Sequence, residues 1–164
     1  MLTRSATLNV AMNHLYLFTL EIVPLEVGRV YDELPSHLTL MSRSWSELAP
    51  EELASAVRPL FTRTNPVTLI FGKTVELGPK KVMAHMVEGS DELTLHNELQ
   101  DALGLAKVTP QYPQFIGVNH RPHVTKREGF DIKQGSQHLA SAVYLIEVVD
   151  KKRVIRSRFV LGNA

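Results

Sequence analysis

The sequence predicts an α+β protein with largely antiparallel sheets and two main helices. Segments with apolar residues at every second position, the period of a β-strand, outnumber segments with helical spacing. Most connections between the strands are too short for parallel crossovers. The composition, 44% apolar and 21% charged over 164 residues, is that of a globular protein with a sizeable core.

The first half of the chain predicts two strands and a helix. A strand is expected over residues 14–22, where alternate apolar side chains form one buried face, and a short strand over 37–41. A helix is expected to begin at Pro50. The N–H that proline lacks has no partner in the first turn of a helix, and the next two glutamates oppose the helix dipole. Pro59 is expected to kink or shorten this helix.

The second half predicts a hairpin, a helix and three further strands. Strands over 67–77 and 81–88 are separated by a Gly-Pro turn. The second helix has Asp91 as its N-cap and Gly104 just past its end. The remaining segments are a loop at 107–122 and strands at 123–126, 140–149 and 153–161, the last with Ile155, Phe159 and Leu161 alternating with Arg156 and Arg158.

Composition also excludes several classes of site. The chain has no cysteine, which excludes disulfides, thiolate catalysis and Cys-based zinc motifs. Its net charge of +1 means that any anion or nucleic-acid site is a local patch. No apolar run reaches the roughly 20 residues of a membrane span. We therefore expect a cytoplasmic monomer with no membrane partner, a flexible extension at residues 1–11 and a single domain over 12–164.

A short pattern, His-x-Thr, occurs twice. The first motif is His37–Thr39 and the second is His123–Thr125, half a chain apart, with Pro35 and Pro122 just upstream. In a strand, residues i and i+2 project from one face, so each motif presents an imidazole and a hydroxyl together. If the two halves of the chain are related by an approximate two-fold axis, the motifs meet across a cleft.

This pair of motifs suits phosphoryl transfer. Opening a cyclic phosphodiester requires one group to deprotonate the incoming oxygen and another to protonate the leaving oxygen. Histidine serves both ends, because its ordinary pKa of about 6.5 allows either protonation state near pH 7. The threonine hydroxyls would stabilise the non-bridging oxygens. The scheme requires no metal and no cofactor, and it leaves open which histidine is the base.

The tetrapeptides His-Leu-Thr-Leu and His-Val-Thr-Lys resemble those of the 2H phosphoesterase superfamily, which includes 2′,5′-RNA ligase-like proteins and cyclic nucleotide phosphodiesterases. The similarity extends over 14–161 in element order. It implies a bilobal fold with a pseudo-two-fold axis and metal-independent chemistry on 2′,3′-cyclic or 2′,5′-linked phosphates of nucleotides or RNA ends. The implied catalytic residues are His37, Thr39, His123 and Thr125. Lys126 departs from the family, which prefers an apolar residue there.

Substrate contacts are expected close to the motifs. The candidate phosphate contacts are Arg43, Arg121 and Lys126, because they are near the motifs in sequence. Tyr112 and Phe115 lie in the proline-containing loop that leads to the second motif, so they are candidates for stacking on a base. The alternative for Phe115 is that it packs into the core.

Other interpretations remain open. The alternative to a catalytic role is that the two motif histidines are half-buried strand residues held by backbone carbonyls. A non-catalytic RNA- or nucleotide-binding protein would keep the same phosphate cleft, and a metal-dependent hydrolase would use His120 with His123. The basic residues over 151–158 are better explained as a solvated hairpin face than as a nucleic-acid surface. The sequence does not assign the substrate among an RNA end, a small nucleotide, a cyclic oligonucleotide and an ADP-ribose cyclic phosphate.

Overall fold

The computed structural model describes residues 13–127 and 131–162 as an α+β fold, in which two α-helices pack on a large antiparallel sheet. The helices are α1 (Pro50–Arg63) and α2 (Asp91–Leu105). The strands are β1 (His14–Glu21), β2 (Val30–Tyr31), β3 (His37–Ser46), β4 (Val67–Leu77), β5 (Val82–Glu88), β6 (Thr109–Pro110), β7 (His123–Thr125), β8 (Gln137–Ala140), β9 (Ala142–Val149) and β10 (Lys152–Val160). The predicted fold class and the β4–β5 hairpin are confirmed.

Some predictions fall outside these ranges. The expected extension at residues 1–11 lies outside the described residues, and the single domain over 12–164 stays a prediction.

The loop at 107–122 contains β6 and two short 3₁₀ helices, Pro113–Phe115 and Gly117–Asn119. No helix within the described ranges is long and apolar enough to cross a membrane.

The sheet has two halves that meet at β3 and β7. The strand order is β2-β10-β9-β1-β3-β7-β5-β4-β8, with β6 beside β3. The strand expected over 140–149 corresponds to β9, which pairs with β1 and β10, whereas β8, which ends just before Ser141 and was not predicted, pairs with β4. The chain therefore crosses from one half of the sheet to the other at a point where the hydrophobic pattern is continuous.

Hydrophobic residues are buried on both faces of the sheet. The main core lies between the sheet and the two helices, and a smaller core lies on the other face, where Leu25 and Leu34 cover part of β1, β9 and β10. Phe18 belongs to the main core and Leu17 to the smaller one. The central strand β1 is thus buried on both faces, whereas alternation alone predicted one. The uncovered remainder of the second face holds the site described below.

Two further expectations are corrected. The residues Ile155 and Phe159 of β10 belong to different cores, because a register irregularity between Ile155 and Ser157 changes the face on which the strand buries its side chains. Helix α1 continues through Pro59 to Arg63, so it is not shortened. Pro59 is exposed, and solvent can therefore replace the hydrogen bond that its missing N–H would have made.

The ends of α2 also differ by one residue or more from the expected ones. Ser90 is the N-cap and Asp91 is the first helical residue. Gly104 lies inside the last turn, and the left-handed conformation that follows the helix falls on Lys107, with φ 59°. The Val108 N–H then donates to the Leu103 carbonyl (2.9 Å), which closes the helix end.

Candidate active site

The two His-x-Thr motifs lie on neighbouring strands, β3 and β7, at the centre of the sheet. Leu38 is opposite Val124 in the antiparallel register, and both side chains are fully buried in the main core. Because strand side chains alternate between faces, the histidines and threonines beside them project together from the other face. Sequence alternation and strand pairing therefore place both motifs on one surface.

Antiparallel pairing puts each histidine opposite the threonine of the other motif. His37 faces Thr125 across the two strands, and His123 faces Thr39 in the same way. Directly opposed residues lie about 5 Å apart and diagonal ones about 7–8 Å apart. All four side chains are partly exposed. The two imidazoles thus stand on either side of a local two-fold axis, with a hydroxyl beside each.

Both imidazole rings are held by the backbone in the same way. The Nδ1–H of His37 donates to the Pro35 carbonyl (2.8 Å), and the Nδ1–H of His123 donates to the Arg121 carbonyl (2.8 Å). Each acceptor lies two residues before its histidine. This bond fixes the ring orientation and, in a neutral ring, leaves the Nε2 lone pair available. Within the described part of the chain, neither Nε2 has a hydrogen-bond partner.

The electrostatic environment favours the neutral form of His37. Burial lowers the pKa of this imidazole below its ordinary value, against the opposing effect of the Pro35 carbonyl. The positive charges of Arg127 and Arg153, and the imidazole of His123, lower the His37 pKa further. A neutral His37 near pH 7 can accept a proton at Nε2.

A cavity of about 350 Å³ adjoins His37, and we call it the basic chamber. Its polar lining includes residues of both motifs and three arginines: His37, Thr39, Thr125, Arg43, Arg127 and Arg153. The predicted phosphate contact Arg43 is therefore beside the first motif. The predicted aromatic contact Tyr112 also lines this chamber.

A second cavity, of about 440 Å³, adjoins His123, and we call it the aromatic chamber. Its lining includes Thr39, Phe115, Asn119, His123 and the predicted phosphate contact Arg121. Thr39 and Ser42 line both chambers, which therefore meet at the first motif. A phosphate bound between the motifs would have one chamber on each side.

The structure separates the remaining predicted contacts. Phe115 is 57% exposed and Tyr112 is 38% exposed, so the alternative in which Phe115 packs into the core is wrong. The neighbouring Ile116 packs against the core instead. Lys126 is exposed just beyond the end of β7 and lines neither chamber, while its backbone N–H donates to the Met83 carbonyl (2.9 Å). A substrate contact by Lys126 stays a prediction.

The buried His96 and the largely buried His120 hold the wall of the aromatic chamber. His96 donates from Nδ1 to the Leu40 carbonyl (2.7 Å) and accepts at Nε2 from the Gly117 N–H (3.0 Å). The His120 ring stacks on His96 with centroids 3.8 Å apart, and its Nε2–H donates to Glu92 (2.6 Å). This stack, which we call the Glu92–His120–His96 stack, connects the 3₁₀ segment to both α2 and β3.

These bonds bear on the metal alternative. His120 is bonded to Glu92, and His123 is bonded to a backbone carbonyl, so the two rings have separate protein partners. Within residues 13–127 and 131–162, no three His, Asp or Glu side chains are grouped closely enough to hold a metal ion.

Several site residues were missed from sequence. Arg127, Asn119 and Ser42 carry no motif, although Arg127 has the strand parity of Thr125. Arg153 belongs to the basic segment that was assigned to a solvated hairpin. That segment is divided: Arg156 pairs with Glu147, whereas Arg153 turns into the basic chamber. Strand pairing, which separates residues only a few positions apart, makes this difference.

Comparison with known proteins supports the fold. No protein-family profile matches the chain, and no curated sequence is significantly similar to it. Among solved structures, TT0787 of Thermus thermophilus aligns over 90% of this chain and 98% of its own, with 17% identity and a TM-score of 0.55. A protein described as a phosphoesterase aligns over the same shares, with 16% identity and a TM-score of 0.57.

Escherichia coli LigT is a third structural neighbour. Its complex with 3′-AMP aligns over 91% of this chain and 98% of its own, with 14% identity and a TM-score of 0.54. LigT has also been solved in complex with phosphate, ATP and NADP+. The alignments cover both halves of the sheet, and so the chain has the fold of the 2H phosphoesterase superfamily.

Proposed function

We propose that this protein is a metal-independent phosphoesterase, which acts on 2′,3′-cyclic or 2′,5′-linked phosphates of nucleotides or RNA ends. The observation that carries the proposal is the symmetric placement of two histidines and two threonines on the β3–β7 pair, with both Nε2 atoms left unbonded by described residues. The fold shared with a phosphoesterase and with the nucleotide-bound LigT supports the same chemical class.

In the proposed hydrolysis, His37 is the base and His123 is the acid. His37 Nε2 accepts a proton from water as the water oxygen bonds to phosphorus. The bond from phosphorus to a ribose oxygen breaks, and His123 Nε2–H protonates that oxygen. A cyclic phosphate thus becomes a phosphomonoester beside a free hydroxyl. When a ribose 5′-hydroxyl replaces water, the same transfers join two nucleotides.

The threonine hydroxyls stabilise the reacting phosphate. Thr39 and Thr125 stand beside the imidazoles on the same face and can donate to the two non-bridging oxygens. These oxygens gain negative charge in the transition state, so donors placed in advance lower the barrier. The two histidines supply both proton transfers, and the scheme therefore needs no metal-bound water.

Phe115→Ala is expected to raise KM for nucleotide substrates about 5- to 150-fold. The exposed Phe115 ring lines the chamber beside His123, and the loss of stacking on a base costs roughly 1 to 3 kcal/mol. Steady-state kinetics with adenosine 2′,3′-cyclic phosphate and with glycerol 1,2-cyclic phosphate, which has no base, test this. Tyr112→Ala is the matched variant in the other chamber. Equal losses on both substrates would show that Phe115 only supports the loop.

The pH dependence of kcat/KM is expected to be bell-shaped, with its acid limb below pH ~6.5, the ordinary histidine value. The base must be neutral, and burial lowers the pKa of His37, so activity is retained to lower pH than for an ordinary imidazole. Both limbs belong to the coupled pair of histidines. A pH profile on a minimal cyclic nucleotide measures this, and an acid limb above pH ~7 would contradict it.

A substrate panel tests the proposed function directly. Purified protein is incubated with a 2′,3′-cyclic mononucleotide, an RNA ending in a cyclic phosphate, a 2′,5′-linked dinucleotide, a cyclic oligonucleotide and an ADP-ribose cyclic phosphate, with and without EDTA. We expect turnover of at least one compound that EDTA does not abolish. Binding without turnover would favour a nucleotide-binding protein, and loss of activity that zinc restores would favour a metal-dependent hydrolase. The monomeric state and the cytoplasmic location stay predictions.

A further inference from the structure

The basic chamber holds more positive charge than a single phosphodiester requires. Arg43, Arg127 and Arg153 line it, and Glu33 is the only carboxylate among the described residues that does so. Glu33 pairs with Arg127. Within the described part of the chain, Arg153 donates only to the backbone carbonyls of Asp32 and Lys151, and no carboxylate pairs with Arg43. A cyclic or 2′,5′-linked phosphodiester carries one negative charge, so even with that phosphate bound one of these two guanidinium groups remains without an anionic partner.

Two buried polar groups of the same chamber also lack partners. Arg127 Nε and Ser42 Oγ are buried, and neither has a hydrogen-bond partner among residues 13–127 and 131–162. Buried donors without partners are uncommon in folded proteins because each has lost its bonds to water. Oxygen atoms of a ligand bound in the chamber would satisfy both groups.

The two free arginines approach from positions far from the threonine hydroxyls. Arg43 follows Thr39 by four positions on β3, which is about 13 Å of extended strand, somewhat shortened by two register irregularities between residues 39 and 44. Arg153 lies on β10, three strands from β3, or about 14 Å across the sheet. Both side chains line the same chamber as the threonines, from backbone positions at these distances. They are therefore placed for an anion other than the phosphate held by the threonines.

From these observations we infer that the basic chamber binds a second phosphate group of the substrate. The inference rests on the proposed function and narrows its substrate class to nucleotides that carry a phosphate besides the reacting one. A 5′-terminal phosphate and an internucleotide phosphate of an RNA end have the same chemistry for this purpose. Arginine suits either, because its planar donors bind phosphate oxygens in pairs.

Three substrates distinguish the two sources of phosphate. They are adenosine 2′,3′-cyclic phosphate, its 5′-phosphorylated form, and an adenosine dinucleotide that ends in a 2′,3′-cyclic phosphate and has a free 5′-hydroxyl. We expect the wild-type kcat/KM to be at least about tenfold higher with either added phosphate, since hydrogen bonds to charged groups are worth that much or more. Preference for the second substrate alone identifies a 5′-phosphate site. Preference for the third alone identifies an internucleotide site.

Arginine variants connect this preference to the chamber. Arg43→Ala and Arg153→Ala are expected to lose at least about tenfold more kcat/KM on the substrates with an added phosphate than on the simple cyclic nucleotide. Arg63→Ala removes an exposed arginine from the end of α1 and should change none of the rates. Thermal melting of each variant checks that the fold is intact. Equal losses on all three substrates would overturn the inference, because the arginines would then serve the reacting phosphate. The absence of any wild-type preference for the substrates with an added phosphate would also overturn it.

A binding measurement keeps the inference separate from the proposed function. If the wild type turns over none of the three substrates, the proposed function fails for this class. Calorimetric titration with adenosine 5′-phosphate and with adenosine then tests the chamber alone. Tighter binding of the phosphorylated compound, lost in Arg43→Ala and Arg153→Ala but retained in Arg63→Ala, would support a phosphate site. Equal binding of the two compounds would overturn it.

Discussion

Replacement of His37 or of His123 by alanine is expected to lower kcat by at least about 10²-fold while the fold stays intact. General acid or base catalysis by a positioned side chain is commonly worth 10² to 10⁴ in rate. Each ring is oriented by a bond from Nδ1–H to a backbone carbonyl, and alanine removes both the ring and its free Nε2. Turnover on the substrate identified by the panel measures the loss, and circular dichroism confirms the fold.

The threonines and a structural histidine provide the controls. Thr39→Ala and Thr125→Ala should each cost less than the histidine variants, because the remaining donors still contact the phosphate. His138 is a half-buried strand histidine whose Nε2–H donates to the Glu21 carbonyl (3.0 Å), and it lines neither chamber. His138→Ala should change kcat less than about threefold. If a double variant of His37 and His123 kept the wild-type rate, both motif histidines would have only a structural role, like that of His138.

His120→Ala is expected to lower the free energy of unfolding by about 3 to 5 kcal/mol, because removal of one member of a buried pair leaves the other without compensation. Glu92 is only 2% exposed, and no described residue forms a hydrogen bond with its second carboxylate oxygen. Loss of His120 leaves the whole carboxylate unsatisfied and removes the ring that stacks on His96. For a chain of this size the loss corresponds to a decrease in Tm of roughly 6 to 20 °C, which a thermal melt measures.

A double-variant cycle separates the pair from general packing. Glu92→Ala combined with His120→Ala should cost less than the sum of the two single changes, because no unpaired carboxylate or imidazole remains. Glu92→Gln keeps an acceptor for the His120 N–H and should cost less than His120→Ala. Additive losses, or a decrease in Tm of less than about 2 °C for His120→Ala, would show that the stack does not hold the chamber wall as described.

Local patterns were sufficient for much of this protein. Alternation along β3 and β7 predicted that the histidine and threonine of each motif share a face, and the register of Leu38 with Val124 agrees with that placement. The helices and the β4–β5 hairpin follow from spacing, Gly-Pro turns and first-turn glutamates, which act over a few residues. These features depend on neighbours in sequence, and so a single sequence contains the information needed to predict them.

By itself the sequence determined the α+β class, the two paired donor motifs and the absence of cysteine chemistry. Only the tertiary structure decided that β3 and β7 are direct neighbours, that Arg127 and Arg153 join Arg43 in one chamber, and that Phe115 is exposed. It also placed His120 on Glu92 rather than beside His123. The physical reason is that strand order, irregularities in register and burial are set by contacts between distant segments. A change of face in one strand moves a side chain from core to cleft without any signal in its local sequence.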